Sequence, residues 1–141
     1  MKPKKFNAKK DYPLASRRPD LVKTLTGKNF QDITLENLVS GMIDAPEIRI
    51  RPETLELQAR IAESHGRSQL ALNLRRAAEL TRIPDEEVLK IYTALRPRRS
   101  ATEELLGLAK EIEKKYQAKI NAVFIREAVR VYEKRGLLKK E

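Results

Sequence analysis

The sequence contains no cysteine and no tryptophan, a single histidine (His65), five glycines, and aromatics at only 5% of its 141 residues. Without cysteine there is no disulfide framework, thiolate metal site or thiol nucleophile, and a reducing cytoplasm is the natural setting. A lone histidine leaves a multi-histidine metal centre or a Ser-His-Asp relay without partners that the sequence indicates. His65 precedes Gly66 at a predicted helix end, where an imidazole binds the last carbonyls, and that structural role is preferred over ligand or base. No stretch approaches the roughly 18–20 uninterrupted apolar residues of a bilayer span, and the start MKPKKFNAKK lacks the apolar centre of a signal peptide. The expectation is a soluble protein without a membrane partner.

What is abundant is positive charge, with 30 Lys+Arg against 20 Asp+Glu. Its placement matters more than its size. Residues 1–30 hold nine Lys/Arg against two Asp, and so carry +7 of the net +10. The remainder mixes both signs as an ordinary solvated surface does. We therefore read residues 1–32 as a basic, largely irregular N-terminal arm and residues 33–141 as a helical domain. Up to about Arg51 turn formers recur, among them Tyr12-Pro13, Arg18-Pro19, Thr26-Gly27, Gly41 and Ala45-Pro46. One short helix is predicted there, with Thr34 as N-cap and Gly41 as terminator. An arm with so little regular structure is expected to order on a partner.

From Pro52 onward the spacing predicts five helices, giving an all-α fold. Pro52 suits a first helical position and Gly66 a left-handed terminator. A second helix over 68–80 would place Leu70, Leu74, Ala77 and Ala78 on one stripe. Ile83-Pro84 breaks that run, and Asp85, Glu86 and Glu87 supply a cap and favourable charge for a third helix burying Val88, Ile91, Tyr92 and Leu95. It must stop before Pro97. Ser100 and Glu103 fit a capping box for a fourth helix, with Leu105, Leu108, Ala109, Ile112 and Tyr116 inward and Glu111 paired to Lys115 outside. The last helix, over 118–135, is apolar on two faces. One carries Ile120, Val123, Phe124, Ala128 and Val131, the other Ile125, Val129 and Tyr132, which predicts that a second protein covers one side.

Other motifs carry little chemistry. Thr26-Gly27-Lys28 lacks both the upstream Gly and the following Ser or Thr of a phosphate loop. The Asp85–Glu87 carboxylates are explained by a first helical turn, and Arg96, Arg98 and Arg99 by ion pairs with a partner as readily as by a phosphate. A basic nucleic-acid-binding protein and a free-standing interaction module are the competing classes. The first lacks an aromatic stacking platform and a recognition helix.

The order of motifs resembles one family over nearly the whole chain, Asp11 to about Leu138. It runs DYPLA (11–15), DITLENLVSG (32–41), RIRPETLELQA (49–59), RAAELTRIPDEEVLKIYTALRPRRS (76–100), EELL (103–106) and YQAKINAVFIREA (116–128). This is similar to the small (gamma) subunit of adenosylcobalamin-dependent diol and glycerol dehydratases. Thr93 stands where that family usually has Asn, and Arg98 where it has an aromatic.

The resemblance implies an (αβγ)2 assembly with large (alpha) and medium (beta) subunits that converts 1,2-propanediol, glycerol or ethanediol to an aldehyde and water. The implied chemistry is radical, begun by cobalt–carbon homolysis. Adenosylcobalamin and a metal ion are then held by the other subunits, and the small subunit supplies packing. No catalytic, cofactor-binding or metal-binding residue is expected on this chain. Its expected interface residues are Tyr12, Pro13 and Leu14 in the arm and Arg96, Pro97 and Arg99 after the third helix. The implied location is the cytoplasm, with enclosure in a bacterial microcompartment as a further family setting. The longer N-terminal extension of some diol dehydratase small subunits is not expected here, because only ten residues precede Asp11.

Overall fold

The computed structural model describes residues 5–139. Among these the regular structure is helical, with one isolated antiparallel bridge between Lys23 and Asn29. The helices are α1 (Leu14–Arg17), α2 (Leu35–Val39), α3 (Pro52–Ser64), α4 (Ser68–Leu80), α5 (Asp85–Ala94), α6 (Thr102–Tyr116) and α7 (Lys119–Arg135). The fold is all-α, and the five long helices lie where the spacing places them. The chain divides into two compact units, one reaching to Ala78 and one starting at Glu79.

In the first unit the residues before α3 hold more local structure than the single short helix expected. That helix is present as α2, with Thr34 Oγ1 accepting from Asn37 N at 3.2 Å and Gly41 at φ 75°. The one-turn α1 and three 3-10 turns (Pro19–Leu21, Phe30–Asp32, Ala45–Ile48) accompany it. Polar side chains close these turns. Buried Arg18 forks onto Asp20 at 2.9 and 2.8 Å and reaches Asp11 at 3.1 Å. Asp11 in turn accepts from Asn7 N at 2.8 Å.

Helix α3 begins with Pro52 at its first position and ends in a Schellman motif. Arg67 N bonds Ala62 O at 2.9 Å and Gly66 N bonds Glu63 O at 3.0 Å, with Gly66 at φ 72°. His65 Nδ1 lies 2.9 Å from the Ile61 carbonyl. A carbonyl only accepts, so this nitrogen carries the proton, and the histidine closes the helix as expected. The small side chains Ala59, Ala62 and Ala71 form the buried contact of α3 with α4, and Leu74 packs on it. The predicted α4 stripe therefore needs correction, because Leu70 is 43% exposed and Ala71 takes its place one position on. One residue rotates a helix face by about 100°. Alanines admit closer helix approach than a leucine would. Arg75 locks the pair from outside, reaching Glu56 at 3.2 Å and Glu63 at 2.9 Å.

The second unit buries Ile83, Ile91, Leu105, Ala109, Ile112, Ala118, Ala122, Ile125 and Val129 in one cluster. Four details of the sequence reading change here. Asp85 is the first helical residue of α5, and the N-cap position falls on Pro84, at φ −55°, ψ 143°, which has no side-chain donor or acceptor to cap with. Tyr92, expected inward, is 68% exposed, while Val88, Ile91 and Leu95 do face the cluster, joined by Ala94. The box of α6 sits one residue later, with Ala101 N donating to Glu104 at 2.9 Å. Ser100 therefore lies one residue before the N-cap, and its carbonyl accepts from Lys139 N in the tail at 3.0 Å. Lys115 bonds Glu87 of α5 at 2.7 Å in place of Glu111. On α7 the face of Ile125 and Val129 is buried, while Val123, Phe124 and Val131 remain 42–50% exposed.

Candidate subunit interface

Buried ionisable groups are where chemistry is sought first, and here each is committed to structure. Glu47 in the turn before α3 is 5% exposed. It accepts from Lys28 Nζ at 2.7 Å and from Thr26 Oγ1. Those two donors hold its carboxyl below the ordinary glutamate range. The Thr26-Gly27-Lys28 sequence is thus a tight turn, with Gly27 at φ 92°, that clamps a carboxylate of its own chain.

In the second unit Glu79 is 9% exposed. Its carboxylate accepts from Ile120 N and Asn121 N, both at 2.9 Å, and from Asn121 Nδ2 at 2.8 Å. Ala118, at the N-cap of α7, offers no side-chain oxygen, so Glu79 of α4 caps α7 from a distance. Sequence reasoning missed this role. Its only signal was a glutamate on the buried side of a helix, and nothing local names its partner.

Among the described residues no group of three or more His, Asp or Glu side chains is placed to hold a metal ion.

The six expected interface residues fall at two places. Tyr12 is 63% exposed beside Pro13, at the mouth of an apolar groove of about 720 Å³ floored by Leu14, Ile61, Ala62 and Leu74. Leu14 is buried in its own unit and anchors the arm there. Arg96, Pro97 and Arg99 are exposed in the loop between α5 and α6. That loop is braced from behind. Tyr132 Oη donates to Leu95 O at 2.5 Å, and Arg98 N, with Arg98 at φ 62°, donates to Leu137 O at 2.7 Å. Neither Arg96 nor Arg99 forms an ion pair with a described residue. Next to them on α5 stand Leu89 and Tyr92, 65% and 68% exposed and three residues apart on one face. The inward reading of Tyr92 concealed this stripe.

The sequence model of the family described as "Dehydratase small subunit" matches residues 7–139. This chain belongs to that family. It is 55% identical over 129 residues to the propanediol dehydratase small subunit of Salmonella typhimurium (strain LT2), covering 92% of this chain and 75% of the relative. The propanediol dehydratase small subunit of Citrobacter freundii is 54% identical over the same shares. Membership of the dehydratase small-subunit family gives no support to the nucleic-acid or free-standing readings. No described helix is long and apolar enough to cross a membrane.

Proposed function

We propose that this chain is the small, structural subunit of an adenosylcobalamin-dependent diol or glycerol dehydratase, which turns a 1,2-diol into an aldehyde and water. The observation that carries this reading is an identity of 55% sustained over 92% of the chain with a propanediol dehydratase small subunit. The large and medium subunits complete an (αβγ)2 complex in the cytoplasm, and they hold the cobalamin and the metal ion. The small subunit contributes surface. Residues 1–32 act as an arm and residues 33–141 as the helical body, with Tyr12, Pro13, Leu14, Arg96, Pro97 and Arg99 at the contacts.

The apolar exposure is what supports a subunit role, since water-facing Leu89, Tyr92, Val123 and Phe124 cost hydrophobic free energy that a partner surface would recover. Co-expression with the large and medium subunits tests the reading. One complex with cobalamin-dependent dehydration of 1,2-propanediol or glycerol is expected, and the chain alone should have no activity. Failure to co-purify overturns it. Within the complex, Arg96→Ala should weaken assembly or heat resistance and leave the substrate KM nearly unchanged. A large KM change in an intact complex would place Arg96 near the substrate instead.

A further inference from the structure

The most exposed large apolar side chains outside the two expected contact places lie in one short stretch, α2 and the turn after it. Val39 is 80% exposed, Leu35 76%, Met42 63% and Ile48 53%. Leu35 and Val39 are four residues apart and share one face of α2. The helix is inside-out, because its apolar side meets water while its inner side is polar. Asn37 there donates from Nδ2 to Asp32 O at 2.8 Å and accepts through its carbonyl from Ile43 N at 3.0 Å. Ile43, 2% exposed, pins the turn from beneath. Internal bonds hold the shape, so the apolar face is presented in a fixed form and not merely left loose.

Charge tells what the face fits. Residues 30–48 contain Asp32, Glu36, Asp44 and Glu47 and no Lys or Arg, in a chain of net charge +10. Three of those carboxylates are used locally. Asp32 accepts from Asn29 N at 2.9 Å, Asp44 from Glu47 N at 3.2 Å, and Glu47 binds Lys28. Glu36, beside Leu35, makes no hydrogen bond or ion pair with another side chain among the described residues.

We propose that the outward face of α2 and its following turn, Leu35, Val39 and Met42 with Glu36, is a docking surface for a partner dehydratase subunit whose complementary patch is apolar and edged by Lys or Arg. This rests on the small-subunit reading above. A charge-complementary contact with an apolar centre requires both elements at once, and no other apolar stretch of this chain is free of basic residues over comparable length.

The test uses the full chain co-expressed with the large and medium subunits, with dissociation followed by native mass spectrometry across dilution and salt. The double variant Leu35→Ser/Val39→Ser should weaken association of the small subunit by about tenfold or more, as loss of anchor residues does. Both positions are exposed, so helical circular dichroism and the unfolding midpoint of the isolated chain should not change. Glu36→Lys, also exposed, should weaken association most at low salt and less at high salt. If the wild-type chain joins the complex and both variants join as tightly, this inference fails while the subunit reading stands. Should the double variant assemble normally but lose self-association of the isolated chain, the occupant is a second copy and the inference is overturned. A wild-type chain that never joins the other subunits overturns the subunit reading and this surface with it.

Discussion

Single residues carry two tests of the structure. Glu79 caps three donors at the start of α7. Glu79→Ala leaves buried N–H groups unpaired, and a loss of about 1–3 kcal/mol is expected, read as a lower thermal midpoint. Glu79→Gln keeps one acceptor oxygen and should lose less. Glu47 gives a pH dependence. Its folded pKa lies below the ordinary 4.5 because Lys28 and Thr26 bond the carboxylate. Its contribution is therefore full above pH 4.5 and is lost as pH falls through the folded value. Hydrogen-exchange protection at Thr24–Lys28, taken relative to the intrinsic rate at each pH, should fall on acidification, and Lys28→Met should flatten that dependence. Asp20 beside Arg18, and Glu87 beside Lys115 and Tyr116, are depressed in the same direction and add to the acid sensitivity. Neither the Glu47–Lys28 pair nor the Glu79 cap was legible in the sequence. Glu47 lies 19 residues from Lys28 and Glu79 lies 41 from Ile120, and local patterns report only neighbours within a turn or two.

At the scale of elements the sequence reads well, because helix ends are local chemistry. Pro52, Thr34, Gly66 and Gly136 each sit at the boundary their backbone preferences demand. Gly66→Ala should cost about 1 kcal/mol. Open space surrounds an added methyl there, so the penalty is one of backbone conformation alone. Helix faces were harder. In α4 and α5 the stripes containing Leu70 and Tyr92 scored as inward by periodicity, yet both residues face water. Hydrophobic spacing says which residues avoid solvent in the finished assembly, not which neighbour covers them. The same ambiguity applies to the loop after α5, whose exposed arginines were visible but whose bracing by Tyr132 was not. Tyr132→Phe removes the bond to Leu95 O and should cost about 1 kcal/mol. A larger effect on assembly than on the stability of the isolated chain would tie that brace to presentation of Arg96 and Arg99.

For the whole molecule, the exposed apolar side chains of α2, α5 and α7 make the free chain an incomplete object. Alone it should bind a dye for apolar surface, and binding should fall when the large and medium subunits are added. Its unfolding midpoint should rise with their concentration, by mass action on the folded state. A free chain that binds no dye and stays monomeric would contradict the covered α7 face. Family membership was readable from motif order over most of the chain, whereas the α2 surface was not. TLENLVS reads as an ordinary capped helix until the structure shows that its leucines and valine point outward.

The distant cap on α7 also sets an order in time. Glu79 leaves the ribosome before the backbone amides it will serve, and the 41 residues that separate it from Ile120 take about 2–8 s to make at 5–20 residues per second. Until then a carboxylate destined for burial stays hydrated, and the α4 end has no partner to close against. The second unit can therefore complete its core only when synthesis of α7 is well under way, which leaves the earlier apolar surfaces of this chain available to chaperones or to waiting subunits for that interval.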